Sequence, residues 1–97
     1  MNTSAYKVYE KILKYDNLVS KENIYKAYNI SQKAHSKQFR SSGEPYFTHP
    51  LAVANFLIDM KLDSSTIITA LLHDVVEDSD VTLEDIKNEF GVEIGKL

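Results

Sequence analysis

His73, Asp74, Glu77 and Asp78 place one imidazole and three carboxylates within six residues, interleaved with the apolar Leu71, Leu72, Val75 and Val76. Nitrogen and oxygen donors of this kind hold divalent cations, and a carboxylate beside a bound cation can take a proton from water. At about 100° per residue the apolar side chains fall within one arc and the polar ones within the opposite arc, so the run predicts a helix with its chemistry on one side. The same pattern also describes an ordinary amphipathic helix with a solvated acidic face. One turn earlier, Ile67 and Ala70 project near the azimuths of Glu77 and His73, so the helix starts apolar on nearly every side. That predicts a central helix whose carboxylates face a cleft.

Adjacent His73 and Asp74 can converge on one ion, but two ligands alone hold a metal weakly. His49 is the best third candidate, because a position immediately before Pro50 fixes its backbone while leaving the ring free to turn. His35 competes with it, and spacing alone leaves both open. The chain has no cysteine, which excludes disulfides and thiolate ligands and argues against a redox role. Any metal must therefore rest on histidine and carboxylate, a set that suits Mn, Fe, Mg or Zn.

The elements that must position these groups read as helices almost throughout, since three glycines and two prolines are too few for a turn-rich sheet fold. A first helix is expected from about Ser4 to Lys14, with Tyr6, Tyr9, Ile12 and Leu13 as its apolar stripe; its terminal position predicts loose packing. Ser20 reads as the N-cap of a second helix carrying Ile24, Ala27, Tyr28 and Ala34. Periodicity ends in the loop Arg40-Ser41-Ser42-Gly43-Glu44-Pro45, and a third helix starts near Thr48-His49-Pro50, with Val53, Phe56, Leu57 and Met60 facing the core. Asp63 is expected to cap the central helix, Ser64 to about Val76. Thr82 with Asp85 reads as a capping box for a helix carrying Leu83, Ile86 and Phe90 and stopping at Gly91, with a further start at Val92 to Leu97.

Ninety-seven residues suffice for one small domain, and 43% hydrophobic with 26% charged residues is the composition of a soluble globular chain. No apolar run is long enough to span a membrane and the polar start Met1-Asn2-Thr3-Ser4 lacks a secretory core, so a cytoplasmic location without membrane partners is expected. The net charge of −3 conceals an asymmetry: residues 1–48 carry eight Lys or Arg against four Asp or Glu, and residues 49–97 carry three against ten. Folded together, such halves supply anionic metal ligands beside a cationic rim for a phosphate-bearing substrate. No run is dense enough in Arg and Lys to indicate nucleic-acid binding.

Arg40-Ser41-Ser42-Gly43-Glu44-Pro45-Tyr46 followed by Thr48-His49-Pro50, and then Ala70-Leu71-Leu72-His73-Asp74-Val75-Val76-Glu77-Asp78 with Phe90-Gly91 beyond, resembles the N-terminal hydrolase domain of the RelA/SpoT stringent-response enzymes. The resemblance covers about residues 20–97, leaving 1–19 as an N-terminal helix and linker before a partial HD-type hydrolase domain. It implies an all-α HD-domain bundle of about five to six helices and a hydrolase that removes the 3′-pyrophosphate of (p)ppGpp with Mn²⁺. Carried over by position, His49, His73 and Asp74 match metal ligands, and Glu77 and Asp78 match the acidic pair that handles the attacking water. Arg40, Ser41 and Ser42 match the segment that contacts the guanine nucleotide; many relatives carry Lys where Ser41 stands. Tyr46 reads as a core anchor rather than a ligand.

The family's hydrolase domain is nearly twice this long, and its C-terminal half, with a further Asp ligand and an Asn that contacts the nucleotide, has no counterpart here. Self-association, or complementation by a second chain carrying the missing helices, would restore it. The competing expectation is a catalytically inactive remnant that binds a nucleotide or a partner.

Overall fold

A computed structural model describes residues 3–91, leaving aside the side chains of Thr3 and Asp78. Among the described residues six helices follow in order: α1 (Thr3–Leu13), α2 (Lys21–Ala34), α3 (Thr48–Asp59), α4 (Ser64–Leu72), α5 (Val75–Asp78) and α6 (Leu83–Phe90). Among the described residues the only extended pairing is an isolated antiparallel bridge between Phe39 and Pro45, so the all-α expectation holds. No described helix is long and apolar enough to cross a membrane. The helix start expected at Val92–Leu97 lies outside the described residues.

Three helix starts follow from local chemistry. Ser20 Oγ accepts the Asn23 amide at 3.1 Å and opens α2. Asp63 accepts the Thr66 amide at 3.3 Å through one oxygen and the Thr66 hydroxyl at 2.7 Å through the other, opening α4. The Thr66 hydroxyl, aided by backbone amides, holds the Asp63 carboxyl below its ordinary range against the opposing effect of burial. At α6 the Asp85 amide donates to Thr82 Oγ1 at 3.1 Å and the Thr82 amide donates back to the Asp85 carboxylate at 3.0 Å. Gly91, at φ 97°, ends that helix in a conformation disfavoured for residues with a side chain.

α4 is the central element, packed against both α2 and α3. Ile67, Ile68, Leu71 and Leu72 are buried, and Val75 extends the same surface into α5. Burying such aliphatic side chains contributes roughly 1.5–3 kcal/mol each. The helix is shorter than expected: its ladder stops at Leu72, and His73 and Asp74 form a turn before the single turn of α5. Asp74, at φ −91° and ψ −6°, leaves regular helical geometry, as suits a residue whose carboxylate is hydrogen-bonded elsewhere. The run from His73 to Asp78 is therefore not one regular helix, and its polar groups do not share one uninterrupted stripe.

Two faces also differ from expectation. α1 turns Ala5, Val8 and Ile12 into the core and packs fully, while Tyr6 and Leu13 stay exposed. Tyr6 instead meets the Lys21 ammonium, 5.4 Å from its ring centre. α3 buries Pro50, Ala54 and Ile58, leaving Phe56 64% and Met60 56% exposed and Val53 at the surface. That helix is apolar nearly all round, so residue type does not choose its inner face. Pro50 lies in its first turn, where no amide donor is needed. The turn after α1 is tied to the start of α4 by the Tyr15 hydroxyl, which donates to the Leu62 carbonyl at 2.6 Å. Burial, then the charges of Asp16 and Asp63, push that phenol up and keep its proton in place.

Candidate functional site

Residues of α3 and α4 line a cleft of about 310 Å³: His49, Pro50, Val53, Leu57, Thr66, Thr69 and Ala70, with His73 just past α4. His49 enters from the first turn of α3 and His73 from the end of α4, so the two imidazoles expected to share an ion line one cavity. His73 and Thr69 also border a second cleft, of about 290 Å³, whose wall carries Val76, Glu77 and Leu83. Glu77 thus stands in the cleft adjoining that of the two histidines.

Asp74 sits just behind His73, its side chain only 13% exposed against 70% for the imidazole. Its Oδ1 lies 3.2 Å from His73 Nδ1, and its Oδ2 accepts the Tyr46 hydroxyl at 2.6 Å. The length of the latter contact is that of a charge-assisted O–H···O⁻ bond. Among the described residues, no three His, Asp or Glu side chains close around a point that would hold an ion. The donor types suit a divalent cation of the Mn, Fe or Zn kind; His49 and His73 line one cleft, and Asp74 contacts His73.

His35 does not join that cleft. It ends α2 at 1% exposure, with Nδ1 2.8 Å from Gln38 Oε1 and with Nε2 buried and unpartnered. The hollow it borders is a different one, lined by Gln32, Ser36, Pro45, Phe47 and Thr48.

Between α2 and α3 the chain folds into a tight hairpin. The Arg40 amide donates to the Glu44 carbonyl, the Gly43 amide to the Arg40 carbonyl and the Tyr46 amide to the Gln38 carbonyl, each at 2.8 Å. Gly43, at φ 91°, supplies the turn. Arg40, Ser41 and Ser42 are exposed on this hairpin; the residue that touches Asp74 is Tyr46, at the hairpin's base. The Asp78 side chain lies outside the described residues.

Tyr46 is the functional candidate that sequence reasoning assigned to packing alone. Its half-buried ring meets His35 at 4.7 Å and His49 at 6.0 Å between centres, so the packing reading holds, yet its hydroxyl also reaches the carboxylate. The available signal was chemical: a tyrosine in a core carries a polar tip that needs a partner.

The HD domain family matches residues 27–97, most of the chain. A relative in Brucella ovis, "GTP pyrophosphokinase rsh", is 47% identical over 92 residues, 95% of this chain and 12% of the relative. The Escherichia coli protein "Bifunctional (p)ppGpp synthase/hydrolase SpoT" is 49% identical over 76 residues, 78% of this chain and 11% of that protein. This chain is an HD domain of the RelA/SpoT family. A further relative, from another Escherichia coli strain, carries the name guanosine-3′,5′-bis(diphosphate) 3′-pyrophosphohydrolase at the same 49% identity. The chain spans about a tenth of the length of these relatives.

Proposed function

We propose that this RelA/SpoT-type HD domain hydrolyses the 3′-pyrophosphate of (p)ppGpp in a divalent-metal-dependent reaction. The observation that carries the reading is the shared cleft: His49 and His73 line it from two helices, with Asp74 directly behind. His49, His73 and Asp74 would hold Mn²⁺, which when bound polarises a phosphoryl oxygen and makes water more acidic. Water adds to the phosphorus attached to the ribose 3′ oxygen, the bond to that oxygen breaks, and ppGpp yields GDP and pyrophosphate. Glu77, in the adjoining cleft, takes the proton from the water, and Asp78 is assigned to the same acidic pair. Arg40, exposed on its hairpin, is suited to stack its planar guanidinium on a guanine base, with Ser41 and Ser42 beside it.

A second reading, a catalytically silent module that binds the nucleotide, draws on the open arrangement of the three donors. One assay separates the two. The purified chain with Mn²⁺ and ppGpp releases pyrophosphate under the first reading, and Asp74→Asn abolishes the release. Binding of ppGpp without any release selects the second.

A further inference from the structure

Asp74 has two oxygens, and the fold treats them differently. Oδ2 accepts the Tyr46 hydroxyl at 2.6 Å, and Oδ1 faces His73, 3.2 Å from its Nδ1. Tyr46 is itself held by backbone and ring contacts. Its amide donates to the Gln38 carbonyl at the base of the hairpin, and its ring packs on His35 and on His49. Gln38 in turn meets His35 Nδ1 at 2.8 Å, so the hairpin base is anchored to the buried end of α2. A phenol fixed in this way restricts rotation of the carboxylate it grips, and it does so from 28 residues away.

We propose that Tyr46 is a positioning residue: its hydroxyl orients Asp74 for metal binding and couples the Arg40 hairpin to the metal ligands. The inference rests on the ligand assignment made under the proposed function. Phe at this position keeps the ring against both histidines and removes only the O–H, which makes Tyr46→Phe the informative variant.

The test is Mn²⁺ titration of the full chain, read by the paramagnetic resonance of free Mn²⁺, on the unaltered protein, Tyr46→Phe, Asp74→Asn and the double variant, with thermal melts of all four. Tyr46→Phe is expected to weaken Mn²⁺ binding about 10- to 100-fold. The double variant should bind no more weakly than Asp74→Asn alone, because the hydroxyl acts only through that carboxylate. A purely structural role would instead lower the melting temperature and leave Mn²⁺ affinity unmoved. Tyr46→Phe binding Mn²⁺ as tightly as the unaltered chain, while Asp74→Asn binds weakly, overturns the inference and leaves the ligand assignment standing. Unweakened binding by Asp74→Asn overturns both.

Discussion

Asp63 and Asp74 stand at opposite ends of the same helix and do opposite things. Asp63, exposed at the start of α4, bonds through both oxygens to Thr66, three residues away, and so serves the helix it opens. Asp74, mostly buried past the other end, reaches Tyr46 on a separate segment and His73 beside it. A carboxylate satisfied locally stabilises an element. One satisfied across the fold reports where two elements must meet, and that is the end where the two clefts adjoin. The contrast predicts that chemistry depends on Asp74 and stability on Asp63.

The largest expected effect is on the Asp74 side. Asp74→Asn should remove pyrophosphate release in the Mn²⁺ assay, whereas Asp63→Asn, whose amide oxygen can still cap, should leave the rate within about twofold. Loss of activity in both would erase the distinction. Next, Glu77→Gln should lower turnover by about 10²- to 10⁴-fold with Mn²⁺ affinity unchanged, as measured by steady-state kinetics beside metal titration. Equal loss of both would make Glu77 a ligand and extend the metal end to a second carboxylate. Arg40→Ala probes the far side of the Tyr46 tether: KM for ppGpp should rise while Mn²⁺ affinity holds, and unchanged kinetics would detach the hairpin from the nucleotide.

The smallest effect belongs to Asp63. Asp63→Ala should cost about 1 kcal/mol, a fall in melting temperature of roughly 4–8 °C for a domain of this size. The pH dependence follows from its carboxyl being held below the ordinary range in the fold. Its contribution is complete above about pH 4, the unfolded value, and disappears as pH falls through the lower folded value. The difference in melting temperature between the unaltered chain and Asp63→Ala should therefore shrink in acid. A gap that widened there would contradict the capping geometry.

What could be read from the residues alone divides along the same line. The caps at Ser20, Asp63 and Thr82 were legible because donor and acceptor lie within one turn of sequence. The buried Leu71, Leu72 and Val75 were legible because their alternation with polar neighbours is unambiguous. α3 was not, since Phe56 and Met60 are as apolar as Ala54 and Ile58, and only the placement of α4 decides which face is covered. Nor was the break at His73 and Asp74, or the partner of Tyr46, because each depends on a contact between segments far apart in the chain. His49, favoured for its place before Pro50, lines one cleft with His73, whereas His35, its competitor, is buried beside a different hollow.

The recognisable family match begins at residue 27, in the middle of α2, yet Ala5, Val8 and Ile12 are sealed into the same core as Ile24 and Leu71. An expression boundary drawn where the match starts would cut α2 in two and strip an aliphatic wall from the surviving helices. The packed core reaches further toward the amino terminus than the HD domain match does, and deletion mapping of this domain should be planned around α1.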